Sequence, residues 1–361
     1  MNKSILVLKG DGIGPEVVNQ ALKVLDAVAA KFNHKFEYTE GLIGGVAIDK
    51  CDVPLPDDTL ELAKKSDAVF LGAVGDWKYD TLDPEIRPEK GLLGIRKGLG
   101  LFANLRPVRI FDDLISSSPL KEDLIKGVDI MIIRELTGGV YFGEPKGEAP
   151  KDGERAAFNT MIYKESEVRR IAKVAFEIAM KRSKKVCSVD KANVLDVSRF
   201  WREIVIDEAK NYPEVELTHQ YVDNTAMQLV INPKQFDVIL TSNLFGDILS
   251  DEASVLSGSL GLLPSASLPD KGVGMYEPCH GSAPNLKGLD VVNPIATILS
   301  ASMMLKYSFD MKEEAEAVDN AVSEILKQGY RTQDIFVNDS QTLVGTSKMG
   351  ELIKEKVKGK R

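Results

Sequence analysis

The chain has 361 residues, room for two or three compact units, with 43% hydrophobic and 28% charged residues and a formal net charge of −8. That acidic balance argues against general binding to nucleic acid or anionic membrane, because both need clustered positive charge. Cys51, Cys187 and Cys279 lie far apart with no C-x-x-C, so neither a zinc pattern nor a disulfide framework is present and a reducing compartment is expected. With only His34, His219 and His280, a His-rich metal site is excluded. The apolar run Ile5–Leu8 is too short for a signal segment, and nothing approaches bilayer-spanning length, which suits a cytoplasmic protein.

In chain order, Ile5–Leu8 reads as a strand, and Gly10-Asp-Gly-Ile-Gly-Pro-Glu16 as a turn into a helix with Pro15 in its first turn. Val17, Val18, Ala21, Leu22, Leu25 and Val28 give that helix an apolar face. Further buried strands are predicted at 68–74, 128–133, 185–189 and 236–241. A helix is predicted over 166–182, and the last third is helical over 294–309 and 311–327. Strands alternating with helices imply an α/β protein whose sheet is covered on both faces. The stretch 140–163 differs: it is rich in Gly, Pro and charge at 145–153. Tyr141, Phe142 and Phe158 flank that tip, as in an arm that packs on something, such as a second subunit.

Two carboxylates stand out in Asn243-Leu-Phe-Gly-Asp247-Ile-Leu-Ser-Asp251. Residues four apart on a helix share a face, so Asp247 and Asp251 point the same way. Like charges so placed repel unless a cation lies between them, and a hard divalent ion with oxygen ligands fits. The plainer alternative is a favourable interaction with the helix N-terminus. The glycine loop is G-x-G-x-G-P rather than G-x-G-x-x-G, with no acidic residue at the usual place after a second strand, so direct phosphate contact is not expected. Arg96, Arg106 and Arg134 matter more. Arg134 ends an apolar strand, where a guanidinium meets a carboxylate or phosphate. For one arginine, a structural ion pair with Glu135 or another acid would suffice. Three arginines beside an Asp cluster suggest a site for a diacid chelated to a metal.

These motifs resemble the isocitrate/isopropylmalate dehydrogenase family of β-decarboxylating dehydrogenases. The resemblance runs from Gly10 to Thr332. It is carried by Leu101-Phe-Ala-Asn-Leu-Arg-Pro107, Arg134-Glu-Leu-Thr-Gly-Gly-Val-Tyr-Phe-Gly-Glu144, Asp190-Lys-Ala-Asn-Val194, Tyr221-Val-Asp223, Gly246–Asp251 and Glu277-Pro-Cys-His-Gly-Ser-Ala-Pro284. It implies an α/β, isopropylmalate-dehydrogenase-like two-domain fold, a central sheet flanked by helices, and not a Rossmann domain. One domain would take 1–101 and 258–361. The other would take 102–257, with the dimer interface and the arm.

The resemblance also implies roles. Arg96, Arg106 and Arg134 grip substrate carboxylates, and Tyr141 and Lys191 are the acid–base pair. Asp223, Asp247 and Asp251 hold Mg²⁺ or Mn²⁺. Glu89, Gly261, His280, Gly281, Ser282, Ala283, Asn285 and Asn293 hold NAD. Family enzymes are homodimers, in which Lys191 and Asp223 would enter the neighbouring chain's site. The implied reaction is oxidation of a 2-hydroxy diacid, loss of CO₂ and protonation of the enolate.

Isocitrate enzymes of the family place Ser and Asn six and four residues before the first arginine, to hold a third carboxylate. Here those positions are Lys90 and Leu92, with Leu93 beside them, which suits the isopropyl group of 3-isopropylmalate. Val194, after Lys191, matches the family's apolar lining. The alternatives are homoisocitrate, tartrate, malate or isocitrate oxidation, or a non-catalytic regulatory subunit. Lys9 stands where the family has Pro, and Asp76-Trp-Lys-Tyr79 where it has Gly-Pro-Lys-Trp. Asn285 stands where NAD users carry Asp, so NAD is expected with weakened discrimination against NADP.

Overall fold

A computed structural model describes residues 1–359. The chain forms two compact units. One comprises Met1–Leu101, Ile110–Pro119 and the described residues from Ser257 onward; the other comprises Phe102–Arg109 and Leu120–Leu256. The sequence division assigns Ile110–Pro119 to the middle unit, whereas the structure places it in the first. The reason is two tethers, each 218 residues apart in sequence: Arg331 Nη2 donates to Asp113 O at 2.6 Å, and Ser117 Oγ donates to Ile335 O at 3.0 Å.

The strands are β1 (Asn2–Gly10), β2 (Lys35–Glu40), β3 (Ala68–Ala73), β4 (Ala103–Arg109), β5 (Asp129–Glu135), β6 (Lys146–Lys151), β7 (Glu154–Asn159), β8 (Lys185–Asp190), β9 (Glu216–Tyr221), β10 (Val238–Thr241), β11 (Pro264–Leu268) and β12 (Gly274–Pro278), with a short parallel pair, β13 (Tyr330–Arg331) and β14 (Thr342–Leu343). In the first unit they run β2-β1-β3-β12-β11, parallel except for β11. β3 is buried at every position, the continuous apolar run of a strand covered on both faces. Leu6, Leu8, Val69 and Leu71 share a face by strand alternation and pack with Ile43, Ala63, Ile95, Leu101 and Met275. The helix Gly14–Phe32 carries Pro15 in its first turn and buries Val17, Val18, Ala21, Leu25 and Val28 of the predicted face, with Leu22 half-buried.

In the second unit the order is β4-β5-β10-β8-β9, with β4 antiparallel to β5 and the rest parallel. The parallel strands end on residues singled out above. β5 ends at Arg134 and Glu135, β8 leads into Lys191, β9 into Asp223, and β10 into the helix Asn243–Ser254. Ligands gather at the carboxyl ends of such strands. β6 and β7 form a hairpin exposed at nearly every position, which is the predicted arm. Among the described residues no helix is long and apolar enough to cross a membrane.

Leu71 has no exposed surface at the centre of the first unit's core. Leu71→Ala is expected to cost roughly 2–5 kcal/mol. A urea-unfolding midpoint within error of the wild type would contradict this.

Candidate active site

The helix Asn243–Ser254 follows β10 after one residue and sets Asp247 and Asp251 one turn apart on one face. Asp247 pairs with Arg134 Nη1 and accepts the Tyr141 hydroxyl at 3.0 Å. Arg106 Nη2 lies 3.5 Å from Asp247 Oδ1, and Arg106 Nη1 lies 3.4 Å from Asp251 Oδ1. Arg106 Nε donates to Asn104 Oδ1 at 2.7 Å and its Nη1 to Ser250 Oγ at 2.6 Å. Both guanidiniums are buried, whereas the side chains of Asp247 and Asp251 are 35% and 56% exposed. The cluster therefore turns its negative side outward. Burial pushes the Asp251 carboxyl above the usual carboxylate range and Asp247's charge adds to this, while Arg106 opposes it. A divalent cation shared by the two carboxylates would relieve both causes, so this donor set fits one.

Arg134 does not pair with its neighbour Glu135, because alternate strand residues face opposite ways. Glu135 is fully buried and accepts from Thr137 Oγ1 at 2.8 Å and Gly138 N at 2.7 Å, with Arg170 Nη2 at 3.3 Å. Arg134 instead lies along the 243–254 helix, and only a glycine allows that approach. A Cβ on Gly246 would come within 2.7 Å of Arg134 Cγ. Tyr141 closes the short turn Gly139–Tyr141, where the Tyr163 ring presses on the backbone. A Cβ on Gly139, which has φ +77°, would sit 2.6 Å from the Tyr163 hydroxyl. Burial, and then the charge of Asp247, push the Tyr141 phenol above its ordinary pKa, so it holds its proton at neutral pH.

Lys191 and Asp223 form a separate pair. Lys191 Nζ donates to Asp223 Oδ1 at 2.6 Å, which holds Asp223 below the usual carboxylate range. Val194 beside them is 62% exposed. Among the described residues no three His, Cys, Asp or Glu side chains converge as a metal site, so Asp223 does not join Asp247 and Asp251 within one chain.

In the first unit, the helix Pro88–Gly98 carries Glu89, Leu92, Leu93 and Arg96. Arg96 is buried; its Nη2 donates to Glu277 Oε1 at 2.8 Å, and its Nε is enclosed without a partner. Leu92 packs partly on the core cluster, and Leu93 is also half-buried. The glycine loop is engaged internally. Asp11 Oδ2 accepts from Gly45 N and Gly75 N and its Oδ1 from Val46 N, each at 2.8 Å, while Ile13 N donates to Ser282 O at 2.8 Å. Asn293 lies just before the helix Ile295–Tyr307, whose N-cap is Pro294: its Oδ1 accepts from Ile295 N at 3.0 Å, and its Nδ2 donates to Asp334 at 3.0 Å. Gly261 packs against Asn293, where a Cβ would lie 2.8 Å from Asn293 Cβ.

The loop from His280 to Asn285 is more open. His280 Nδ1 bonds Gly281 O at 2.9 Å, its Nε2 is enclosed without a partner, and burial lowers its pKa. Nothing lies within 4 Å of a Cβ built on Gly281. Ala283 is held left-handed at φ +37°, and Asn285 is exposed on the turn Pro284–Leu286. An unpartnered ring nitrogen, an open glycine and a strained loop fit a planar polar ligand such as the adenosine of a dinucleotide.

Asn104, Ser250, Asn243, Glu277 and Asp11 all touch these groups, yet they carry no assignment from the sequence. Asn104 had a local signal, since it lies two residues before Arg106 and so on the same face of β4.

The chain belongs to the isocitrate/isopropylmalate dehydrogenase family, whose profile matches residues 4–353. It is 59% identical over 359 residues to the 3-isopropylmalate dehydrogenase of Oleidesulfovibrio alaskensis, covering 99% of this chain and 100% of that protein. It is 59% identical over 351 residues to that of Aquifex aeolicus, covering 97% and 96%. Among solved structures, an isocitrate dehydrogenase from Methylococcus capsulatus matches with a TM-score of 0.86 at 32% identity, covering 99% of both chains. A β-decarboxylating dehydrogenase from Thermococcus kodakarensis matches with a TM-score of 0.79 at 35% identity, covering 99% and 96%. The α/β fold is thus the one implied by the motifs.

Because Asp251 titrates above an ordinary aspartate, folding favours its protonated form. That contribution is fully present below the unfolded-state pKa and is lost as pH rises through the raised one. In chelator at neutral pH, Asp251→Asn should melt at or above the wild-type temperature. The difference should shrink as pH falls. A variant clearly less stable than wild type at neutral pH would refute this account.

Proposed function

We propose that the chain catalyses the oxidative decarboxylation of 3-isopropylmalate to 4-methyl-2-oxopentanoate and CO₂ in leucine biosynthesis, with NAD as hydride acceptor. The observation that carries this reading is the outward-facing Asp247–Asp251 pair backed by Arg106, Arg134 and Tyr141. It occurs in a chain similar along its whole length to 3-isopropylmalate dehydrogenases.

Arg96, Arg106 and Arg134 hold the substrate carboxylates through charge-assisted hydrogen bonds. Asp247 and Asp251, with Asp223 from a second copy of the chain, would hold Mg²⁺ or Mn²⁺, which when bound polarises the C2 oxygen. Lys191, also from the second copy, takes the hydroxyl proton; NAD, when bound, would supply the hydride acceptor. Loss of CO₂ from the resulting β-keto acid leaves an enolate, and Tyr141 delivers a proton to its carbon. A phenol that stays protonated at neutral pH suits that task.

The loop His280–Asn285, with Glu89, would take the NAD. Asn285 can accept from ribose hydroxyls without repelling a 2′-phosphate, so NAD is preferred with weak discrimination. A homodimer is supported by apolar residues exposed on and beside two helices: Met227, Val230, Ile231, Ile248 and Val255. The exposure of Val194 and Asp223 and the projecting arm point the same way. Cys51, Cys187 and Cys279 form no disulfide, which accords with a cytoplasmic location.

Steady-state rates for each substrate and cofactor pair test this. With Mg²⁺, kcat/KM for 3-isopropylmalate should exceed that for isocitrate. Burying the isopropyl group against Leu92 and Leu93 is worth roughly 1–3 kcal/mol, and a third carboxylate there would be desolvated without a partner. Equal or better use of isocitrate would overturn the substrate. Chelator, Asp247→Asn or Asp251→Asn should abolish turnover in folded protein, and full activity in chelator would remove the metal. Lys191→Ala should block hydride transfer, whereas Tyr141→Phe should slow turnover by ~10²–10⁴-fold. Asn285→Asp should widen the NAD preference, chiefly by weakening NADP; an unchanged ratio would detach this residue from cofactor choice. A wild type that binds but never turns over would be a regulatory subunit.

A further inference from the structure

We infer that Asn243 is a positioning residue that aligns Arg134 and Tyr141 about Asp247; this rests on the dehydrogenase reading above. Its side chain is 1% exposed, at the first position of the helix that carries Asp247 and Asp251. Its Oδ1 accepts from Arg134 Nε at 3.1 Å and Nη2 at 2.8 Å. Its Nδ2 donates to Leu136 O at 3.0 Å and Gly138 O at 3.3 Å. Its backbone N donates to the Tyr163 hydroxyl at 2.8 Å.

Both lone pairs and both hydrogens of the amide are therefore used. The reverse orientation would set NH₂ against guanidinium donors and the oxygen against two carbonyls, so the partners fix the assignment. Asp would lack the donors, Ser the reach, and Leu both functions.

The two side-chain attachments and the helix that carries Asn243 are three parts of one site. Held through Nε and Nη2, Arg134 presents Nη1 to Asp247. Leu136 and Gly138 are the root of the turn that ends in Tyr141, whose hydroxyl meets the same Asp247 at 3.0 Å. Asn243 and Asp247 are one helical turn apart. One amide thus sets the substrate-gripping arginine, the proton donor and the carboxylate helix relative to one another. It does not need to touch substrate. Misplacing a reacting group by about 1 Å can cost ~10²-fold in rate.

The test is a double-mutant cycle on the full-length enzyme with Mg²⁺, NAD and 3-isopropylmalate, using wild type, N243D, Y141F and the double variant. N243D is isosteric. It keeps the pull on Arg134 but sets a negative oxygen against the carbonyls of Leu136 and Gly138. Its expected signature is a kcat lower by ~10²-fold with the smaller change in KM. N243L, which also releases Arg134, should raise KM as well.

In the N243D background Y141F should cost only a few-fold, against ~10²–10⁴-fold in the wild-type background. A merely structural role lowers the melting temperature but leaves the Tyr141→Phe factor equal in both backgrounds, and that additivity would overturn the inference. So would N243D activity near wild type. Should N243D not fold, the same cycle in N243S decides, because Ser leaves both clamps unmade without adding charge. A wild type inactive on 3-isopropylmalate would fell the functional reading and this inference with it; an active wild type with additive effects fells this inference alone.

Discussion

Arg106 and Arg134 are buried side by side, and two buried guanidiniums need a carboxylate as well as neutral acceptors. Asp247 is that carboxylate, and much of the second unit is arranged around it. β4 runs antiparallel to β5 in a register that pairs Asn104 with Arg134 and Arg106 with Ile132, bringing both arginines to one region of the sheet. β10 ends level with Arg134, so the following helix starts where its acids can reach the guanidiniums. Gly246 lets Arg134 lie against that helix, and the Gly138-Gly139 turn gives way to Tyr163 while delivering Tyr141 to Asp247. The carboxylates face outward because the arginines occupy the inside.

Isocitrate dehydrogenase from Methylococcus capsulatus has the same fold, so the fold does not choose the substrate. In this chain the helix Pro88–Gly98 brings together Arg96, Leu92, Leu93 and Glu89. Its buried residues include Gly91, Ile95 and Arg96, while the two leucines are only partly covered. The two leucines could change while Arg96 keeps its bond to Glu277. Leu92 also packs on the core cluster, so a polar residue there would have to leave that contact.

What the sequence made legible was local. The four-residue spacing put Asp247 and Asp251 on one face, and apolar periodicity located the helix Gly14–Phe32 and the strands β3, β5 and β8. What it hid depends on partners far along the chain. Asn243 lies 109 residues from Arg134, and Glu277 lies 181 residues from Arg96. The placement of Ile110–Pro119 rests on tethers of the same kind. Asn293 shows a further limit, since its amide is committed to the backbone of Ile295 and to Asp334, a structural use that its place in the sequence did not disclose.

The glycine loop after β1 was most open to misreading, for it has the outline of a phosphate cradle and serves as a tether. Asp11 fastens the start of the helix Gly45–Cys51 and the root of the loop after β3, and the next turn binds Ser282 O. Every one of these bonds reaches a main-chain atom of the neighbouring segment. The anchor therefore rests on Asp11 and on glycine backbone: a Cβ on Gly45 would lie 2.1 Å from the Tyr79 ring, and Gly75 has φ +113°, so neither anchored residue can take a side chain freely. The run Asp76-Trp-Lys-Tyr79 one residue beyond Gly75 is thus pinned at both ends, by a backbone bond at its root and by the buried Tyr79 ring against Gly45, so that only its two middle residues, Trp77 and Lys78, are at liberty to vary.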